Sequence, residues 1–177
     1  MTRRSPLTRW GLVMSAVLVV AVLARAGPIR TVLPADIRSL GNLVHVRLRI
    51  APMPEQVAAL GVTASAIEKR WAGVLRRAGI VVVDEEGAVD RVPEVGLRIH
   101  EGTDPAFPDA LALSGALTVK QWVTVDRLVQ SMPLETYHDY LVGLEKRENV
   151  NSAIEDTTQQ LIERFVKRTK RATGRGR

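Results

Sequence analysis

The 177-residue chain has no cysteine. Thiol catalysis and disulfides are excluded, and no lipid-anchoring cysteine motif can be written. The segments that mark the common catalytic classes are missing too. There is no G-x-S-x-G or S-x-x-K for an activated serine, and no G-x-x-x-x-G-K or G-x-G-x-x-G to cradle phosphates. The three histidines, His45, His100 and His138, show no H-x-H, H-x₃-H or H-E-x-x-H spacing. They read as partly exposed strand residues, and no metal is expected. The acids of Asp84–Asp90 lack the D-x-D-x-D-G spacing that wraps a loop around calcium, so they read as a solvated turn. No cofactor is implied.

Acids are also absent from both ends. Residues 1–10 carry three arginines, residues 11–24 form a continuous apolar run, and Ala24-Arg25-Ala26 has cleavage-site spacing. This is the three-part layout of a secretory signal peptide over residues 1–26. The 14-residue run falls short of the roughly 20 residues that span a bilayer. Arg3-Arg4 resembles a twin-arginine export signal, although Pro6 stands where that signal's phenylalanine belongs; both export routes stay open. The expected location is periplasmic or extracellular, with an uncleaved membrane anchor as the alternative. An exported chain without disulfides must hold together by burial alone.

The net charge of +6 divides unevenly. Four arginines lie in the leader and seven lysines and arginines in the last 14 residues, leaving residues 27–163 with 14 basic and 19 acidic side chains. The body is mildly acidic, which argues against a nucleic-acid partner. In the basic end, Arg164, Lys167 and Arg168 suit the negative end of a helix dipole. Lys170, Arg171, Arg175 and Arg177 lie beyond that need and are candidates for contact with anionic lipid or cell-wall polymer.

Between the ends, periodicity places the elements. Residues 27–42, with two prolines and no period, read as a linker. In residues 42–50 Val44, Val46, Leu48 and Ile50 alternate with His45, Arg47 and Arg49, giving a half-buried strand that Pro52 and Pro54 end. Ile67, Trp71, Val74, Leu75 and Ala78 recur at helical spacing, with Thr63 or Ser65 as N-cap and Gly79 as C-cap. Residues 80–84 read as a central strand reached by a parallel crossover. Val95, Leu97 and Ile99 mark the inner face of a third strand, and Leu117, Val119, Val123 and Val125 that of a fourth with a bulge at Gly115. A turn at Ser131-Met132-Pro133 leads into a fifth strand. A long helix follows, capped by Ser152 and Glu155, with Ile154, Leu161, Ile162, Phe165 and Val166 as its stripe.

The order β-α-β-β-β-β-α implies an α+β two-layer sandwich, one mixed and mostly antiparallel sheet with both helices on one face. A single domain over residues 43–172 and a disordered basic tail at 173–177 complete the plan. The other sheet face then carries His45, Arg47 and Arg49, Arg98 and His100, and Lys120 and Trp122. Guanidinium groups chelate oxyanions and indole stacks, so this face is the candidate binding surface. The expected function is an exported cell-envelope module, non-enzymatic, binding another envelope protein. The alternatives are a small hydrolase or carbohydrate-active enzyme using the open face, and a soluble small-ligand carrier. A partner-binding module predicts a flat face, an enzyme a concave one. The layout resembles small accessory modules of bacterial envelope assembly, such as those attached to secretion pores or cell-wall synthases. No motif carries that resemblance, so no residue role follows from it.

Overall fold

A computed structural model describes residues 33–84 and 91–174. The expected leader, residues 27–32 of the expected linker, most of the acidic turn and residues 175–177 lie outside them.

The elements follow as α1 (Ala35–Ser39), β1 (His45–Ile50), α2 (Glu55–Ala59), α3 (Ala64–Arg77), β2 (Val81–Val82), β3 (Glu94–Gly102), β4 (Ala110–Val125), β5 (Gln130–Lys146) and α4 (Val150–Ala172). A single 3-10 turn, Arg147–Asn149, joins β5 to α4. The five strands form one sheet in the order β2-β1-β3-β4-β5. β1 runs parallel to both β2 and β3, whereas β3–β4 and β4–β5 are long antiparallel pairs. The α+β sandwich with a mixed sheet is therefore the observed architecture.

One face of the sheet is the core. Val46 and Leu48 from β1, Val95, Leu97 and Ile99 from β3, and Leu117 and Val119 from β4 are buried there. They meet Ile67, Trp71 and Leu75 of α3 and Leu161, Ile162 and Phe165 of α4. The expected apolar stripes of both helices are the stripes that pack. Thr63 caps α3, its hydroxyl accepting from the Ala66 N–H at 3.2 Å. Gly79, at φ +79°, takes the left-handed position that ends the helix. The Ser152–Glu155 cap does not form: α4 starts two residues earlier, at Val150.

Several expectations need correction. Within the expected linker, α1 forms and Leu40 is fully buried, so the packed body begins before residue 43. β2 is a two-residue edge strand with Val81 half exposed, not a central one, because β1 lies between it and the rest of the sheet. Val44 is exposed just ahead of β1. Val123 and Val125 are only partly buried, because the β4–β5 ribbon runs on past the end of β3. The turn lies at residues 126–129, not at Ser131-Met132-Pro133, which pair with Thr124, Val123 and Trp122.

Gly115 does not bulge; it pairs regularly with Ile99 and Leu141. It serves a close approach of α4 instead. A Cβ at Gly115 would lie 2.9 Å from Thr157 Cγ2 and 3.1 Å from Leu161 Cδ1. Gly115→Val is expected to cost about 1–3 kcal/mol through overpacking. Thermal unfolding by circular dichroism should show a midpoint several degrees lower, and an unchanged midpoint would refute the close-packing role.

Candidate functional site

The bulge falls between Val119 and Lys120 of β4, opposite Thr136 of β5. An extra residue in a strand inverts the facing of everything beyond it. Before Thr136, Ser131, Pro133 and Glu135 share a face with Trp122 and Lys120; after it, His138, Tyr140, Val142 and Leu144 do. This settles the face of His138, which alternation alone leaves open.

The face away from the helices carries all seven expected residues. In the register, Arg47 stands beside Glu94, Lys120 and Glu135 in one row, and Arg49 beside Gly96, Thr118 and His138 in the next. Arg98 and His100 continue β3 opposite Ala116 and Ser114. His45 on β1 and Trp122 on the overhanging ribbon lie one step beyond the Arg47–Lys120 row, at the same end of this surface.

The face is not flat, as a partner module would predict, but concave. A trough of about 690 Å³ runs over Gly96, Ala116 and Thr118, with Arg49, Arg98, His100, Lys120 and His138 around it. The cause is side-chain size. Small residues on β3 and β4 form the floor, and long cationic ones form the wall. Polar contacts run along part of that wall. Glu94 is shared by Arg49 at 3.6 Å and Lys120 at 3.9 Å, and His138 Nδ1 lies 3.1 Å from Glu135. Nearby, the Arg91 guanidinium lies over one face of the Trp122 ring at 5.5 Å, while the residue stays 43% exposed. Arg47 Nε is buried with no hydrogen-bond partner among the described residues. The three histidines do not come together, and no cluster of metal-ligating side chains occurs among the described residues.

Two features escape the sequence reading. The first is an apolar stripe on the same open face: Tyr140, Val142 and Leu144 are 66%, 72% and 64% exposed. They stand beside Ala116, Ser114 and Ala112 on β4, which leave their flanks bare. On β5 the trough itself is lined by Glu135 and His138, and the apolar stripe runs on beside it along the same strand.

The second lies on the helix face. Asp139, almost fully buried, is bound by Arg164 at 2.9 Å and Arg168 at 3.0 Å, and accepts from the Tyr137 hydroxyl at 3.2 Å. Arg168 also donates to the Tyr137 oxygen. Burial pushes the Tyr137 phenol above its ordinary pKa, against the pull of Arg168. Arg164 and Arg168, expected to serve the helix dipole, instead tie α4 to the edge strand. Lys170 and Arg171 do lie exposed in the last turn of α4. Among the described residues no helix is long and apolar enough to cross a membrane.

No family model matches the chain, and no curated protein does. Several solved structures are similar in part, two of them bacterial lipoproteins. The minor lipoprotein from Acinetobacter baumannii aligns with a TM-score of 0.42 at 8% identity, over 75% of this chain and 93% of that one. The rare lipoprotein B from Shewanella oneidensis aligns with a TM-score of 0.28 at 13% identity, over 74% of this chain and 92% of that one. At such scores the likeness carries no functional argument.

Proposed function

We propose that this chain is an exported cell-envelope module, non-enzymatic, that holds a segment of a partner protein in the trough of its open sheet face; the concavity departs from the flat face expected of such a module, and the chemistry of the lining, not its shape, supports the reading. One observation supports this above the others. A trough lined by Arg49, Arg98 and Lys120, with Glu94 and Glu135 among them, opens beside the exposed apolar stripe of β5, and no described helix covers either. Such a groove suits an elongated segment with acidic groups on one side and apolar groups on the other. Cations fix its register and on-rate, and burial of Tyr140, Val142 and Leu144 supplies affinity. Trp122 sits where the ribbon overhangs and extends the contact beyond the trough.

The test uses a photo-reactive residue at Thr118, in the floor, and a second at Lys69, exposed on α3, each in the full chain inside cells that carry the protein. A discrete adduct is expected from Thr118 and none from Lys69. In the Thr118 background, Trp122→Ala should reduce the yield about tenfold, the range of an aromatic anchor, with the melting midpoint unchanged. Equal labelling at both positions, or none at Thr118, overturns the reading. A large loss of midpoint in Trp122→Ala would make Trp122 a structural residue instead.

A further inference from the structure

β5 is the outer strand of the sheet, and no described strand pairs with its free side. Natural edge strands are guarded by charge, proline, bulges or covering segments, since an open row of N–H and C=O groups recruits another strand. The start of β5 is guarded in this way. Pro133, the irregularity at Thr136 and the Ser39 hydroxyl bound to the Thr136 carbonyl at 3.0 Å interrupt it. Its end is guarded by Lys146 and the 3-10 turn. Between them, Tyr140-Leu141-Val142-Gly143-Leu144 carries no charge, no proline and no bulge.

The hydrogen-bonding groups of this window point outward at alternate residues. The Tyr140 N–H is taken by the Asp139 carboxylate at 3.1 Å, not by β4. With the two-residue period of a strand, Val142 and Leu144 also turn their N–H and C=O to the free side, so the open groups are these and the Tyr140 C=O, while the Tyr140 N–H is already satisfied.

We infer that two copies of this chain join through β5, antiparallel, about a two-fold axis at Val142. Two complementarities single out a second copy. The window is its own partner: Val142 meets Val142, and Tyr140 meets Leu144, so bare apolar side chains cover one another across the open faces. The register keeps open face with open face, because residues whose numbers add to the same even total share parity. On the helix side, Asp139 falls opposite Glu145 of the other copy. Asp139 sits there with Arg164 and Arg168, and Asp36 also acts on Arg168. Glu145 has no cation within ion-pair distance among the described residues, and the two guanidinium groups offset its repulsion with Asp139. An isologous pair of this kind is closed, with no further edge of the same type left open.

The inference shares Tyr140, Val142 and Leu144 with the trough reading, but it concerns the strand edge and needs no other protein, so the purified chain alone tests it. Sedimentation equilibrium of the chain purified as the cell delivers it should show a mass rising to twice the monomer value with concentration. Val142→Lys places a guarding charge on an exposed side chain and should keep the mass at one copy, with the melting midpoint of the unaltered chain at dilutions where it is a single copy. Because the chain has no cysteine, single-cysteine variants report register. Opposed residues in such a ladder have Cα atoms about 5.5 Å apart, within disulfide reach. Val142→Cys should therefore link to itself under mild oxidation. Tyr140→Cys and Leu144→Cys should not link to themselves but should link to each other when mixed. A mass of one copy at every concentration overturns the inference, and so does a pair that survives Val142→Lys. Linking of Tyr140→Cys or Leu144→Cys to itself overturns the register.

Discussion

Trp71→Ala is expected to destabilise the domain by about 3–5 kcal/mol, the range for deleting a large buried aromatic side chain. For a domain of this size that lowers the melting midpoint by roughly 10 °C or more. Trp71 is fully buried on α3 and heads the largest side chains of the core. Its indole N–H donates to the Thr158 carbonyl of α4 at 3.2 Å, so one residue joins both helices under the sheet. Two effects are therefore lost together, and their sizes differ. The hydrogen bond contributes about 1 kcal/mol net, whereas the cavity and lost burial account for the rest. Trp71→Phe separates them: it keeps most of the apolar area and should retain well over half of the stability that Trp71→Ala loses. Chemical denaturation of the three proteins gives the comparison, and equal midpoints for Trp71→Ala and the unaltered chain would refute the assignment of Trp71 to the core.

Asp139→Ala is the second large effect. Removing one member of a buried ion pair costs about 3–5 kcal/mol because the remaining charge stays desolvated. Here the Asp139 side chain is 7% exposed, but Arg164 and Arg168 are 40% and 32% exposed and water screens them. The expected loss is accordingly nearer about 2–3 kcal/mol. Arg164→Ala should cost less than half of that, because Arg168 and the Tyr137 hydroxyl still satisfy the carboxylate. A double-mutant cycle between Asp139 and Arg164, read by urea denaturation, gives their coupling directly. Zero coupling would mean that the arginine is a solvated neighbour only.

The legible parts of the fold are those where burial is one-sided and periodic. β3 reads directly, because Val95, Leu97 and Ile99 face the helices while Arg98 and His100 face out. α3 and α4 read directly for the same reason at helical spacing. From this the open face and its seven residues follow by parity. What fails to read has local causes. Pro133 suggests a turn, yet an edge strand tolerates proline where the missing N–H takes no part in the ladder. The real turn at residues 126–129 contains no glycine or proline and uses Val129 at φ +50°. β5 inverts the usual rule after its bulge, turning Asp139 inward and Tyr140, Val142 and Leu144 outward. No spacing signals this, because the arginines that neutralise Asp139 lie 25 and 29 residues further on. Leu40 is buried though its segment has no period, since a single helical turn is too short to show one.

The strand order also bears on how the chain is assembled. β3, β4 and β5 are joined to neighbours by short connections, and their pairing needs only local search. β1 instead pairs with Val81–Val82 and with residues 94–97, both reached only after α3 has been made. The earliest strand to be synthesised thus ends up flanked by two later ones. Closing such distant pairings is the slow step in folding. The meander is accordingly the scaffold on which the first strand is finally seated, and a chain delivered from its N-terminus must carry β1 without its β3 partner until forty-seven residues beyond Ile50 have followed, at Leu97.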